Sequence, residues 1–330
     1  MADRIRDVGG GANHYATLSA WEAGEQGNLP SLDERRIANC FAFSDTTAVV
    51  VAGWTVDATR YPMVTVDPSA RHGGAWNTSA YRLEVSGAHA ISIQQTHFRM
   101  EYVQVSVSES GATQRFAVDL PSSATMVGVY IEKCLVRQAP GSSGSGNLRG
   151  IRLGNGGTVF VSNTIVQGFR QGSGSGISRS AGTMYVHYCG AYDCNIGIGA
   201  GSGPVNAKNC WARACTDGFQ GTFGAAGTLT DYNISDLAGD APGTNVKNST
   251  TVALVNPGTD FKLQSGDTAA KDWAPSLSAD ANYPVTDDFL GTTRPGSACD
   301  AGPHEYSAPP SSGSQVARAR SRRMGALVQF

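Results

Sequence analysis

One eight-residue run, VYIEKCLV at residues 129–136, decides the fold because variants of it return along the chain. All are short runs rich in strand-forming residues, and they share one internal pattern. The later copies are VFVSNTIV at 159–166, MYVHYCGA at 184–191, VNAKNCWA at 205–212 and LTDYNISD at 229–236. A looser copy, HFRMEYVQV, occupies residues 97–105. Successive copies from residue 129 begin 30, 25, 21 and 24 residues apart, so the chain contains an internal repeat.

The spacing of these runs favours stacked parallel strands. The steps are too short for a strand–helix–strand unit of about 30 or more residues in each repeat. The intervening segments are rich in glycine and serine, which is typical of turns and loops; examples are 140–146, 172–176 and 199–203. The sequence therefore predicts an all-β parallel solenoid, whose coils stack ~4.8 Å apart around one continuous core.

Aligned positions in the runs predict two columns of stacked side chains. Cys134, Cys189 and Cys210 fall in one column, which Thr164 and Ile234 complete. Three amides fall in the neighbouring column: Asn163, Asn209 and Asn233. Small apolar side chains stacked inward and ladders of amides both suit such columns.

Composition excludes several classes of protein. The 330 residues carry a net charge of −2, which argues against a chain that binds nucleic acid by a basic charge throughout. Hydrophobic residues make up 40%, enough for a core, so the chain is not disordered by composition. No stretch approaches ~18 unbroken apolar residues, so we expect no transmembrane helix. No phosphate-binding glycine motif is present, so we expect no nucleotide ligand.

The two ends differ from the repeats, as a solenoid with capped ends requires. We divide the chain into an N-terminal cap with a short helix at 1–39, a β-helix with its closing segment at 40–306, and a linker and tail at 307–330. The helix is expected near residues 15–23, with Leu18 and Trp21 on its buried face. The first residues, MADRIRD, lack an apolar stretch, so we expect no secretory signal.

Several segments outside the repeats resemble one known family. WTVDATRY at 54–61 and RHGGAWNTSAYRL at 71–83 resemble the N-terminal part of pectate-lyase-like right-handed parallel β-helix proteins, many of them encoded by bacteriophages. NPGTDFKL at 256–263, DFLGTTRP at 288–295 and DAGPHEY at 300–306 resemble the closing segment of bacterial and phage β-helix chains. The resemblance implies a right-handed, single-stranded parallel β-helix, and for phage members a homotrimer. It says less about function, because this fold hosts lyases, hydrolases, adhesins and virion spikes.

The catalytic alternative is a polysaccharide lyase or hydrolase acting on a host surface glycan. The family's hydrolase motifs are not found in the repeat region. Asp193, Arg213 and Asp217 fall near one another in the alignment and are the candidate acid–base residues, although they also fit a solvated outer row. We expect His72, His187 and His304 to be structural.

A third alternative is a non-catalytic adhesin that binds a glycan. It would show exposed aromatic rings along the same groove as the candidate acid–base residues. The candidates for stacking on sugar rings are Tyr192, Trp211 and Phe219.

The cysteines fit three interpretations. Cys189 and Cys194 repeat as Cys210 and Cys215, offset by 21 residues, the length of one coil. Buried apolar thiols are the simplest interpretation, a cross-coil disulfide a second, and a tetrahedral zinc site a third with looser spacing than usual. We expect no metal and no cofactor.

The C-terminal tail follows a Pro/Ser/Gly linker and is positively charged. It contains four arginines and no acidic residue, which leaves 21 basic and 27 acidic residues, a net −6, in the rest of the chain. The tail is either a solvated terminus or a docking peptide, with arginines meeting an acidic surface and apolar residues filling a pocket. The docking residues would be Arg318, Arg320, Arg322, Arg323, Leu327, Val328 and Phe330.

Together these features favour a structural phage virion protein, either a capsid decoration or spike protein or a short tailspike-like protein. It would assemble in the host cytoplasm as a homotrimer and bind other capsid or tail proteins through its tail. A host surface polysaccharide is a further expected partner if the chain binds glycans.

Overall fold

A computed structural model of the chain describes residues 1–9, 14–121, 126–154, 156–201 and 203–307. Most of these residues form three long parallel sheets, numbered here in the order in which the chain visits them. Sheet 1 contains Ala2–Val8, Glu34–Cys40, Pro62–Val66, Arg99–Glu101, Met126–Glu132, Gly157–Ser162, Thr183–His187 and Val205–Lys208. Sheet 2 contains Ser44–Asp45, Arg82–Ser86, Gln104–Ser108, Leu135–Gln138, Ile165–Gln167, Gly190–Tyr192, Trp211–Arg213, Asn233–Ser235 and Val246–Lys247. Sheet 3 contains Val49–Val51, Ile91–Ile93, Arg115–Leu120, Leu148–Leu153, Ser175–Arg179, Ile196–Ala200 and Asp217–Gln220.

Each passage of the chain through sheets 1, 2 and 3 forms one coil, and equivalent strands of successive coils pair in parallel. Inward side chains of all three sheets form one core, in which Ile131, Val136 and Ile151 are fully buried. This arrangement is consistent with the predicted parallel solenoid. No helix in the described ranges is long and apolar enough to span a bilayer.

The predicted register of the repeats is confirmed for four copies and wrong for the fifth. Val129 pairs with Val159, Val159 with Met184, and Met184 with Val205, as the alignment requires. In the fifth copy Ile234 pairs with Trp211, so the alignment was one residue out of register. Asn233, rather than Ile234, lies over Cys210, and its Oδ1 accepts a hydrogen bond from the Cys210 backbone N–H at 3.0 Å.

The neighbouring column therefore contains two of the three predicted asparagines. Its members are Tyr102, Lys133, Asn163, Tyr188, Asn209 and Tyr232, all with φ between 49° and 62°. These left-handed residues make the tight turn from sheet 1 to sheet 2, a conformation that asparagine tolerates better than most residues. Their backbone N–H groups still bond to the next coil, as Lys133 does to the Ser162 carbonyl at 3.0 Å and Asn163 to that of His187 at 3.1 Å.

The N-terminal segment contains a helix and also joins the stack. The helix spans Leu18–Glu25, with Leu18 and Trp21 buried, and the Thr17 hydroxyl caps it by accepting from the Ala20 N–H at 3.1 Å. A second, four-residue helix spans Leu29–Leu32, and a 3-10 turn spans Pro68–Ala70 further along. Sheet 1 begins at Ala2, so the parallel strands start inside the segment 1–39 that the sequence assigns to the cap.

The closing segment, residues 254–306, leaves the stack and runs back along its outside. It contains two short antiparallel pairs, Leu254–Asn256 with Asp260–Leu263 and Ala274–Pro275 with Ala298–Cys299. It lies against the left-handed turns between sheets 1 and 2, where Asn209 Nδ2 donates to the Pro275 carbonyl at 2.8 Å.

Candidate functional site

The three predicted acid–base side chains bond to other residues and not to one another. Asp193 and Arg213 meet through their backbones, where the Asp193 N–H donates to the Arg213 carbonyl at 3.1 Å. Their side chains bond elsewhere: Asp193 forms an ion pair with Arg170 at 2.6 Å, and Arg213 donates to the Val252 carbonyl at 2.7 Å. Asp217 accepts from Gln220 at 2.9 Å. Each predicted side chain thus has a structural contact of its own.

Two of the three predicted sugar-stacking rings are inside the protein. Trp211 is 1% exposed and Phe219 is 6% exposed, and only Tyr192 is half-buried. Phe219 belongs to the inward column of sheet 3, where it pairs with Ile198. Trp211 is covered by the closing segment, which approaches so closely that a Cβ at Gly302 would collide with the indole. The expectation of exposed Trp211 and Phe219 is therefore wrong. The repeat pattern does not reveal that the closing segment covers Trp211, and Phe219 belongs to the core of the coils.

The three histidines are buried in structural contacts. His72 Nε2 lies 2.7 Å from the Lys133 carbonyl, and His187 Nδ1 lies 3.1 Å from that of Tyr283. His304 Nδ1 accepts from the Leu263 N–H at 3.1 Å. Burial lowers the pKa of each imidazole to about 4. All three are therefore neutral at pH 7, which suits a structural role.

All seven cysteines are buried and unpaired. The predicted stacking of Cys189 on Cys210 is present, and the Cys189 N–H lies 3.4 Å from the Cys210 sulfur. Burial raises the pKa of Cys189 and Cys194, whereas the hydrogen bond from Cys194 lowers that of Cys215. No group of three or more His, Cys, Asp or Glu in the described ranges could hold a metal ion. The geometry fits buried thiols packed as small hydrophobic side chains.

The predicted docking residues of the tail, from Arg318 to Phe330, lie outside the described residues.

A buried arginine ties the closing segment to the coils. Arg294 is 5% exposed, and its guanidinium lies over the Tyr188 ring with 3.8 Å between the guanidinium carbon and the ring centroid. Its Nη1 donates to Glu305 at 2.9 Å, and its Nη2 donates to the Asn163 Oδ1 at 2.9 Å. It also donates to the backbone carbonyls of Asp287, Asp300 and Gly302. Burial and the neighbouring Asp300 raise the pKa of Glu305 to about 7.

The sequence analysis missed a groove on the outer face of sheet 3. Its volume is about 440 Å³. Its floor is formed by two neighbouring outward columns of the sheet, one running from Arg149 to Ser175 and Ile196, the other from Ser178 to Gly199 and Gln220. Ser173 lies at one side, and Arg179, Ser180, Ala200 and Gly201 lie at the other. The groove is therefore polar and concave, and it spans several coils.

Two arginines of this groove have no acidic partner among the residues that the structure describes. Arg179 is 7% exposed; its Nη2 donates to the Gly182 carbonyl, and its Nε and Nη1 have no hydrogen-bond partner in the described ranges. The Nε of half-buried Arg149 is likewise unbonded there. Burial lowers the pKa of both guanidinium groups. The unbonded nitrogens have almost no accessible surface, so they are buried beside the groove and are not exposed within it.

Nothing in the sequence analysis pairs Arg149 with Ser175, because the register across sheet 3 is set by contacts between coils. The glycine- and serine-rich segment 172–176 is predicted to be a turn, yet Ser175 begins a strand of sheet 3.

Comparisons of the chain with protein-family models, with curated proteins and with solved structures find no match.

Proposed function

We propose that this chain is a right-handed parallel β-helix that serves as a structural protein of a bacteriophage particle, as a capsid decoration, a spike or a short tailspike-like protein. The resemblance of its N-terminal and closing segments to phage β-helix proteins supports the source. One structural observation supports the role of a rigid structural protein: side chains of the closing segment bond to several coils.

These bonds form at the turns between sheets 1 and 2 or at the strand residue just before a turn. Lys133 bonds to Asp287 at 2.7 Å, Asn163 to Arg294, and Lys208 to Asp280 at 2.7 Å. The three coils that contain these residues cannot unwind without breaking their bonds to the closing segment. Losing one partner of a buried ion pair is costly, because the other charge remains buried without compensation. A brace of this kind suits a particle component that must keep its shape outside the cell.

A right-handed winding follows the general preference of crossover connections between parallel strands. The homotrimeric state follows from the resemblance. Attachment to the particle is assigned to the tail, where four arginines and no acidic residue precede the apolar C-terminal residues. Opposite charge on a partner surface would favour this docking.

The proposal is tested by quantitative mass spectrometry of purified particles of the phage that encodes this chain. We expect the chain in the particle, with many copies for a decoration protein or a few copies in multiples of three for a spike. Truncation after Ser314 should leave the folded chain intact and remove it from particles. Absence of the full-length chain from particles would refute the virion role.

A further inference from the structure

Two cysteines of adjacent coils lie opposite each other at the turn from sheet 2 to sheet 3. Just before this turn Tyr192 pairs with Arg213, and within it the Thr216 N–H donates to the Cys194 carbonyl at 2.9 Å. Cys194 and Cys215 are therefore equivalent residues of neighbouring coils. Adjacent strands lie ~4.8 Å apart, which is within the Cα separation of about 4.4–6.8 Å that a disulfide spans.

The side chains of the two cysteines are in contact. Each cysteine follows a left-handed residue, Asp193 with φ 54° and Ala214 with φ 57°, so the chain enters both positions in the same conformation. Both cysteines belong to the core of the coils, and their side chains form a hydrogen bond with each other. The two thiols of neighbouring coils are thus already placed side by side.

Cys215 is the more reactive thiol of this pair. It is 6% exposed and lies between the exposed residues Ala214 and Thr216, whereas Cys194 is fully buried. The hydrogen bond from Cys194 lowers the pKa of the Cys215 thiol, and the thiolate is the form that reacts. Because oxidation follows thiolate character and exposure, a small oxidant should react with Cys215 first and leave Cys194 as the adjacent second thiol.

A second cysteine pair on the same two coils lacks this access. Cys189 and Cys210 are also equivalent residues whose side chains are hydrogen-bonded to each other. Both are fully buried, and burial raises the pKa of Cys189. The chain therefore contains two pairs with the same register and the same kind of contact, and they differ in their exposure.

We propose that Cys194 and Cys215 are a redox modification site, where hydrogen peroxide produces a disulfide that links two coils covalently. The Cys215 sulfur attacks one peroxide oxygen, the O–O bond breaks, and a sulfenic acid and a water form. The Cys194 sulfur then attacks the sulfenic sulfur, the S–O bond breaks, and the oxygen leaves as a second water with the Cys194 proton. Two electrons pass from the thiols to the peroxide. The site depends on the geometry of the coils alone, whether or not the chain is a virion component.

Peptide mapping of the full-length chain tests the site. The chain is treated with dilute hydrogen peroxide, the remaining thiols are alkylated in denaturant, and the product is digested with trypsin. Trypsin separates the two candidate partners, because Cys210 falls in peptide 209–213 and Cys215 in peptide 214–247. The opposite member of each pair falls in peptide 180–208.

We expect peptide 180–208 to be joined to peptide 214–247, and fragmentation of the joined peptides to place the bond at Cys194. The intact chain should lose about 2 Da, the mass of the two thiol hydrogens. A bond from peptide 180–208 to peptide 209–213 instead, or fully alkylated thiols with no joined peptides, would overturn the proposal.

Matched variants make the test specific, and the wild-type peptide map remains decisive if a variant folds poorly. Cys215→Ala should abolish the bond, whereas Cys210→Ala, the control from the other pair on the same coil, should keep it. Oxidised wild type should unfold at a higher temperature than the reduced chain, because a disulfide constrains the unfolded state. Treatment with a thiol reductant should remove this gain, and oxidised Cys215→Ala should not show it. Loss of the bond in Cys210→Ala, or an unchanged unfolding temperature in the cross-linked wild type, would contradict the proposal.

Discussion

The coils and the closing segment are held by different forces. In the coils, parallel strands bond through their backbones around a continuous apolar core, as Val129, Val159 and Met184 do in sheet 1. The closing segment contributes two short antiparallel pairs and is fastened by side chains, chiefly Arg294 and the ion pairs of Asp280 and Asp287. Apolar stacking depends little on pH, whereas ion pairs and buried imidazoles depend on it strongly. We therefore expect the coils and the closing segment to unfold under different conditions.

The largest effect is expected from Arg294→Gln. It leaves Glu305 and the Asn163 amide oxygen buried without their cationic partner, at a cost of about 3–5 kcal/mol. Because these contacts belong to the closing segment, denaturant titration should show an early transition of that segment before the coils unfold. A single transition with the wild-type midpoint would contradict the fastening role.

A core substitution in the coils should lower the free energy of unfolding, while the coils and the closing segment still unfold in one transition. Ile151→Ala removes a fully buried side chain of sheet 3 and should cost about 2–5 kcal/mol. Circular dichroism should report one cooperative transition at lower denaturant concentration. An early transition like that of Arg294→Gln would show that the regions are not distinct.

Acid should weaken the contacts of three buried histidines, of which His187 bonds to the closing segment and His304 belongs to it. His72, His187 and His304 have folded-state pKa values of about 4 against an ordinary 6.5. The stability of a buried neutral imidazole is fully present above pH 6.5 and is lost as pH falls from 6.5 to 4, by up to ~1.4 kcal/mol per pH unit for each histidine.

Glu305 opposes this trend, because a carboxyl with a raised pKa, here about 7, favours the folded state more as pH falls towards its ordinary value of 4.5. Asp119, with a pKa of about 6, acts in the same direction as Glu305, and so do Asp45, Glu101, Asp240 and Asp300, whose pKa values burial also raises. The variant His187→Gln isolates the histidine contribution. Between pH 6.5 and 5 its free energy of unfolding, measured by denaturant titration at both pH values, should change less unfavourably than that of the wild type. An identical pH dependence in the two proteins would refute the histidine account.

The smallest effect is expected from Arg170→Gln. Its ion pair with Asp193 is exposed on both sides, with 43% and 44% of the two side chains accessible. Its hydrogen bonds to the Ala214 carbonyl and the Thr216 hydroxyl are exposed as well. Such pairs contribute between 0 and about 1 kcal/mol. Thermal unfolding should therefore differ little from that of the wild type, which makes this variant the matched control for Arg294→Gln. A loss comparable to that of Arg294→Gln would mean that burial does not decide the strength of these pairs.

The sequence predicts the coils better than the features that cover them. Alternating strand residues set the register of four copies correctly, because inward positions must be apolar in every coil. In the fifth copy Asn233 enters the cysteine column by bonding to the Cys210 backbone, which residue similarity alone does not reveal.

The candidate sites illustrate the same limit. Trp211 is aromatic at a position that the repeat makes outward, yet the closing segment buries it through contacts distant in sequence. The sheet 3 groove depends on Arg149 and Arg179, whose neighbours come from adjacent coils. Neither contact is visible in local pattern, because loops of different length set which residues meet across sheet 3.

Hydrogen exchange by mass spectrometry on the wild type and Arg294→Gln, at one pH near neutrality, tests the two-region account most directly. We predict that amides of residues 254–306 exchange much faster in the variant, while the strands Gly157–Ser162 and Thr183–His187 keep their protection. Simultaneous loss of protection in the coils and the closing segment would contradict the account, since it would mean that one cooperative unit holds both.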